Sequence, residues 1–300
     1  MCVWYFYKIT YSLKLITLRE KLFKNFFRKI TLKKLKNYYY VLINIWRENM
    51  IHFVGAGSGA VDLITIRGAE LLKKADVIIY AGSLVNPELL NYAKESCEVF
   101  NSAEMTLDEV IEQMIKAEKE EKMTVRLHTG DSSIYGAIRE QMDRLDEEGI
   151  EYDVCPGVSS FCGAAAALKA EYTLPDVSQS VIITRMAGRT PVRDDESIAS
   201  FAAHGATMVI FLSTGLLKEL SKELVKGQYS EDTPAAIVYK ATWPDEKVMH
   251  CTVGTLYETA KENNITKTAL IIVGDVLDSE YSLSRLYADD FSTEFRQAKK

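Results

Sequence analysis

The stretch from 123 to 168 constrains the fold most, because two strands that read as buried each run into a glycine turn and then a helix. The strand at 123–128 continues into Thr-Gly-Asp at 129–131, and the strand at 151–155 continues into Pro-Gly-Val-Ser-Ser at 156–160. Strand–turn–helix units of this kind place ligands at the carboxyl ends of a mostly parallel sheet. The turns carry small hydroxyl groups and a carboxylate but no lysine, which favours a small organic ligand over a bare phosphate.

Short apolar runs alternate with longer amphipathic runs from Met50 onward, which is the rhythm of a parallel sheet with right-handed crossovers. The rhythm breaks near 170–178, and the strand patterns that follow indicate a mixed sheet. We therefore predict an α/β fold of two α/β domains, 50–172 and 173–277, with the active site in the cleft between them and a polar tail at 278–300. The predicted strands lie at 51–54, 76–80, 98–100, 123–128, 151–155, 180–184, 206–212, 235–240, 248–251 and 268–273, and the predicted helices at 63–74, 106–122, 136–148, 194–203, 216–226 and 254–263, with a further helix opening at Asn86-Pro87.

Charge divides the chain into a basic extension and an acidic body. Residues 1–49 hold eleven Lys and Arg against two Glu, whereas residues 50–300 have a net charge of −15, which argues against a broad nucleic-acid surface. The extension has no apolar run of about 18 residues and no signal-peptide layout. We expect it to be non-native or disordered, since its amino acids are those of A/T-rich codons; the alternative is a basic, aromatic helix on a membrane surface.

Cysteine and histidine usage argues against a disulfide framework and against a metal site in the protein itself. The five cysteines are odd in number and lack a C-x-x-C pair, and the four histidines have no ligand spacing. We therefore expect a reducing, cytoplasmic location.

The glycine loop at 55–59 reads G-x-G-x-G rather than G-x-G-x-x-G, and no Asp or Glu ends the second strand, so a nicotinamide site is disfavoured. Three arginines, Arg185, Arg189 and Arg193, form a cluster suited to carboxylates, or else a solvated connection. The loop that carries Lys240 and Lys247 joins two strands. No motif for nucleophilic or metal catalysis is present, so the chemistry would rest on bound reactants held in position.

Taken together, several segments resemble the tetrapyrrole methyltransferases, S-adenosylmethionine enzymes of two α/β domains, and within them the precorrin-4 C11-methyltransferase group. The loop at 55–59 departs from the usual G-x-G-P-G-D of the family, with Ser58 in place of Pro and Ala60 in place of Asp, and Ser132 stands where the family has Pro. The segments are 51–59, ADVIIYAGSLVNPELL at 75–90, TVRLHTGDSSIYGA at 124–137, 155–167, ITRMAGRTPV at 183–192 and VYKATWPDEKV at 238–248.

The resemblance implies that S-adenosylmethionine methylates C11 of a cobalt-precorrin-4 substrate, with cobalt present only within that substrate and S-adenosylhomocysteine as a product. It also implies a homodimer. No dedicated base is evident in the sequence, and either Asp131 or a group on the substrate could assist proton loss. Alternatives are a metal-free precorrin-4 substrate, another corrinoid intermediate, or a binding module without turnover. The implied cofactor contacts are Ser58, Thr129, Gly130, Asp131, Ile134, Ser159, Ser160, Leu212 and Ala241, and the expected substrate contacts are Arg185, Arg189, Arg193, Lys240 and Lys247.

We predict that residues 1–49 are dispensable, because they share neither composition nor charge sign with the body. A chain beginning at Met50 should keep the melting temperature of the full chain, as measured by calorimetry. A loss of several degrees would contradict this, and would mean that the extension packs on the body.

Overall fold

A computed structural model describes residues 50–188, 190–278, 280–284, 286 and 288–298. The basic extension at 1–49 and Arg189 lie outside the described residues. The remainder confirms the predicted fold class, since it contains one parallel and one mixed five-stranded sheet with helices on their faces. None of the helices in this described part is long and apolar enough to cross a bilayer.

The first sheet is entirely parallel, with strand order β3-β2-β4-β1-β5. Its central strands are apolar or buried on both faces, as parallel strands covered by crossover helices must be. Its strands are β1 (Ile51–Gly55), β2 (Val77–Tyr80), β3 (Glu98–Asn101), β4 (Thr124–His128) and β5 (Tyr152–Cys155), and the helices that follow them are α1 (Ile66–Lys74), α2 (Leu107–Lys119), α3 (Arg139–Glu148) and α4 (Ser160–Leu168).

Helices α2 and α3 cover one face of this sheet and α1 covers the other. The α2 helix begins where the sequence predicts, because Thr106 and Glu109 form a capping box. The α3 helix begins at Arg139, three residues later than predicted. The chain from Pro87 to Tyr92 forms a 3-10 helix rather than an α-helix.

The second sheet is mixed, with strand order β6-β7-β10-β8-β9, in which only the β6–β7 pair is parallel. The predicted helix at 194–203 is divided, because Ser197 caps a new α-helix after a 3-10 turn. The elements are β6 (Val181–Arg185), α5 (Ile198–Ala202), β7 (Thr207–Phe211), α6 (Leu217–Val225), β8 (Pro234–Tyr239), β9 (Lys247–Thr252), α7 (Leu256–Glu262) and β10 (Ala269–Val273).

Helix α4 joins the two sheets. It follows β5 of the first sheet, yet Ala164 belongs to a buried cluster with Val209, Val238 and Ile272 of the second sheet. Because α4 is built from small residues, its backbone can lie close to both sheets. The carboxyl edge of the first sheet is thereby held against the second sheet.

Backbone segments from three strand ends touch at this edge. A methyl group on Gly157 would lie 2.1 Å from the carbonyl oxygen of Gly130 and 2.7 Å from the Cα of Gly55. Any larger residue at position 157 must therefore push the loop after β4 away from the loop after β5.

We predict that Gly157→Ala destabilises the protein by about 1–3 kcal/mol, the usual cost of overpacking. Calorimetry should show a melting temperature several degrees below that of the wild type. The matched control is Gly188→Ala, since a methyl group there would meet nothing within 4 Å. Equal melting temperatures for both variants would contradict the close approach.

Candidate functional site

A cavity of about 450 Å³ lies between the loops at the carboxyl edge of the first sheet and the ends of β7, β8 and β10. Its size is that of a small-molecule site. The nine residues that the resemblance assigns to the cofactor all line it; whether they bind that cofactor stays a prediction. They are Ser58, Thr129, Gly130, Asp131, Ile134, Ser159, Ser160, Leu212 and Ala241.

Asp131 fastens the loop after β4 to the loop after β5. One carboxylate oxygen accepts a hydrogen bond from the Gly157 amide at 2.7 Å, and the other accepts bonds from the amide and hydroxyl of Ser133. Partial burial on its own would raise the pKa of the Asp131 carboxyl, but these hydrogen bonds hold that pKa below its ordinary value. Asp131 is therefore ionised with both oxygens engaged, which suits positioning better than proton abstraction.

The loops after β1 and β4 are joined backbone to backbone. Gly57 and Gly130 exchange two hydrogen bonds, of 3.2 and 2.9 Å, in an isolated antiparallel bridge. Both have positive φ, +86° and +60°, which glycine adopts without steric cost. The sequence pattern of glycines at both turns is explained by this bridge.

The start of helix α4 presents free polar groups to the cavity. Ser159 occupies the N-cap position, but its hydroxyl makes no capping hydrogen bond. The first amides of a helix also lack partners within the helix. Thr129, in contrast, donates its hydroxyl to the carbonyl oxygen of Leu84 at 3.0 Å, which fixes that side of the wall.

The second sheet contributes strained residues to the cavity wall. Leu212 and Lys240 both have positive φ, +53° and +47°, and the Leu212 side chain is 67% exposed. Because Leu212 lines the cavity, its exposed side chain offers apolar surface to a ligand there.

A pair of hydroxyl groups ties the first loop to the second sheet. The hydroxyls of Ser58 and Thr242 lie 3.1 Å apart, and the Ala60 amide donates to the Thr242 hydroxyl at 3.0 Å. This chain thus holds the first loop to the second sheet by side-chain hydrogen bonds.

The four expected substrate residues that the structure describes are not gathered in one place. Lys240 lines the cavity, where its Nζ lies 2.6 Å from Asp245 and 5.2 Å from the Trp243 ring centroid. Lys247 instead donates to the backbone carbonyl of Asn263, just after helix α7, at 3.5 Å. The role of these two lysines stays a prediction.

The two described arginines of the predicted cluster, Arg185 and Arg193, each form hydrogen bonds with residues close to them in the chain. Arg185 donates to three backbone carbonyls near its own strand end, those of Met186, Thr190 and Pro191. Arg193 forms two hydrogen bonds with the Asp195 carboxylate at the surface. Neither of them lines the cavity, and Arg189 lies outside the described residues, so their role as carboxylate ligands stays a prediction as well.

A second cavity of about 290 Å³ adjoins the first, and sequence reasoning missed it. The two share the wall residues Leu84, Thr129, Ile134 and Tyr135. The second cavity is also lined by Arg126, His128 and Gln141. The signal that could have found it is the alternation of polar residues along the otherwise apolar strand β4.

The comparisons with known proteins agree on one family. The model of the Tetrapyrrole (Corrin/Porphyrin) Methylases matches residues 50–257. A cobalt-precorrin-4 C(11)-methyltransferase of Methanocaldococcus jannaschii is 52% identical over 82% of this chain and 96% of that protein. A precorrin-4 C(11)-methyltransferase of Sinorhizobium sp is 44% identical over 82% and 98%. The X-ray structure of a cobalt precorrin-4 methyltransferase, 46% identical, superposes with a TM-score of 0.75 over 77% of this chain and 97% of its own.

We predict that Asp131→Asn weakens S-adenosylhomocysteine binding by about tenfold or more, since hydrogen bonds to a charged group contribute about 1.5–3 kcal/mol. Asparagine has only one acceptor oxygen, so it cannot accept hydrogen bonds from both Ser133 and Gly157, and the loops after β4 and β5 separate. Titration calorimetry measures the affinity, with Asp143→Asn, a surface carboxylate paired with Arg139, as control. Unchanged affinity in Asp131→Asn would show that the loop contact is not needed.

The same variant has a pH signature. Because the folded-state pKa of Asp131 is depressed, its contribution to stability is present above the unfolded pKa of about 3.9 and is lost as the pH falls through the folded value. The wild type and Asp131→Asn should therefore converge in melting temperature at acidic pH.

Proposed function

The chain belongs to the tetrapyrrole (corrin/porphyrin) methylase family, and from that premise we propose that it transfers the methyl group of S-adenosylmethionine to C11 of cobalt-precorrin-4. The family membership confirms the resemblance noted in the sequence. The chain is thus a tetrapyrrole C-methyltransferase of the kind that serves cobalamin biosynthesis. The observation that carries the proposal is the meeting of nine dispersed residues, from Ser58 to Ala241, around one cavity.

The residues of this cavity fit an S-adenosyl group. Apolar surface for the adenine base is offered by Leu212, Phe211 and Ile134. The Ser159 hydroxyl, which makes no capping hydrogen bond, offers a polar contact. Ionised Asp131 places a negative charge at the wall, which suits a sulfonium cation. When bound, the cofactor supplies an activated methyl group.

The remaining chemistry is positioning. Methyl transfer from a sulfonium is an in-line displacement by an electron-rich carbon, so the protein contributes alignment of two reactants, worth about 7–11 kcal/mol. The bridge between Gly57 and Gly130 and the carboxylate clamp of Asp131 fix the loops that would hold the donor. In this account Asp131 is a positioning residue, and no residue of the chain is assigned as the base that assists proton loss.

The substrate class follows from the family and from the charge of the site. Corrinoid precursors carry acetate and propionate groups. These carboxylates could be met in the cavity by Lys240, the one expected ligand among the described residues that lines it. We retain Arg185, Arg189, Arg193 and Lys247 as proposed carboxylate ligands. Cobalt enters within the substrate and requires no site on the protein.

A homodimer in the cytoplasm completes the proposal. The odd number of cysteines and the lack of a C-x-x-C pair in the sequence support a reducing compartment. Light scattering after size-exclusion chromatography tests the dimer; a monomer at micromolar concentration would contradict it.

We predict that the wild-type protein transfers labelled methyl from S-adenosylmethionine to cobalt-precorrin-4 and yields a product heavier by one CH₂. Mass spectrometry with cobalt-precorrin-4 and metal-free precorrin-4, offered separately, distinguishes the two substrates. Gly130→Leu, which places a bulky side chain at φ +60° in the cavity wall, should abolish turnover. Preference for the metal-free substrate would favour the alternative reaction, and cofactor binding without label transfer would favour a binding module.

A further inference from the structure

Strand β4 carries polar side chains on a face of the first sheet that is otherwise apolar. Thr124, Arg126 and His128 alternate along the strand, so they share one face, and each is at least 94% buried. The hydroxyl of Thr124 and the Nε2 atom of His128 have no hydrogen-bond partner. Buried polar groups of this kind cost free energy, so their presence on a central strand calls for a reason.

Arg126 is the charged member of this row, and its partners are neutral. Its Nε donates to Oε1 of Gln141 at 3.0 Å, and its Nη1 donates to the carbonyl oxygen of Ile79 at 3.1 Å. Burial lowers the pKa of Arg126 to about 10, so it remains a cation at neutral pH. Among the described residues no carboxylate forms an ion pair with Arg126, although Glu140 lines the same cavity.

The neighbouring His128 carries no charge, so it would not compete with Arg126 for an anion. Burial, and then the positive charge of Arg126, lower the pKa of His128 to about 3, so its imidazole is neutral. The buried part of the site therefore presents one positive charge among neutral polar groups, and the carboxylate of Glu140 lies on the exposed part of the cavity wall. An isolated buried charge is costly unless a counter-ion and good hydrogen bonds accompany it.

Arg126 faces the second cavity, whose wall continues into that of the first cavity through Thr129 and Tyr135. We propose that this cavity receives one carboxylate side arm of the macrocycle, with Arg126 as the anchor. The inference deepens the proposed function and rests on it. The shared wall would then set the distance between that arm and the methyl donor.

The guanidinium geometry suits a carboxylate in particular. Its Nη2 makes no hydrogen bond to any described residue, so one edge of the fork is available for a second parallel bond beside Nη1. Gln141 and the Ile79 carbonyl hold Nε and Nη1, which fixes the orientation of the guanidinium plane. Arg126 is thus a substrate-positioning residue rather than a proton acceptor.

The test compares Arg126→Met with Arg126→Lys in steady-state kinetics with cobalt-precorrin-4. Arg126→Met should raise KM for the macrocycle about ten- to hundredfold, while the affinity for S-adenosylhomocysteine by calorimetry stays within twofold. Arg126→Lys should recover part of the loss, since it restores charge without the fork. Arg144→Met, a surface arginine paired with Asp108, is the matched control and should behave as wild type.

Two outcomes would overturn the inference: an unchanged macrocycle KM in Arg126→Met, or an equal loss of S-adenosylhomocysteine affinity, which would indicate a merely structural role. If Arg126→Met does not fold, the same comparison of macrocycle KM with S-adenosylhomocysteine affinity is made on Arg126→Lys. Absence of wild-type turnover with either precorrin-4 would instead contradict the proposed function. In that case binding of uroporphyrin III, an unreactive octacarboxylate, decides on Arg126: equal affinity for wild type and Arg126→Lys refutes the anchor, and a loss of about tenfold supports it.

Discussion

Contact between the backbones at three parallel strand ends is the constraint on which the site depends. Gly55, Gly130 and Gly157 approach so closely that a single methyl group would separate them. The Asp131 carboxylate then joins the loops after β4 and β5 by accepting a hydrogen bond from the Gly157 amide. Because parallel strands end at one edge, this contact collects loops that are distant in sequence and leaves their hydroxyls and amides facing one cavity. The second sheet completes the wall but does not create it.

Much of this arrangement could be predicted from the sequence, for physical reasons. Strands covered on both faces must be apolar, and glycines mark their ends, so the parallel half of the fold was predictable. Boundaries set by local capping were less so: Ser197 divides a predicted helix because its hydroxyl begins a new one. The arginines show the limit of proximity in sequence. Three cations within nine residues do not show where their side chains point. Arg193, for example, forms a hydrogen bond with Asp195, only two residues away.

The second cavity was missed because its residues meet only through the tertiary structure. In the sequence, Arg126 and His128 are two polar residues in a short strand, and Gln141 is one of several polar residues in a helix. Their relation depends on α3 packing across β4, which brings Gln141 to the Arg126 guanidinium. A buried charge on a central strand is unfavourable among apolar neighbours. Such conflicts between a residue type and its burial are expected at functional positions.

The hydroxyl pair of Ser58 and Thr242 has a consequence for folding. These residues are separated by 184 positions in the chain, so the cavity wall they join exists only after both sheets have formed and docked. Contacts of such long sequence separation form late, once their loop-closure entropy can be repaid. A small molecule that touches both walls therefore recognises the completed fold alone, and its binding free energy adds in full to global stability. Occupancy by the methyl donor would protect the whole body from proteolysis, including segments far from the cavity.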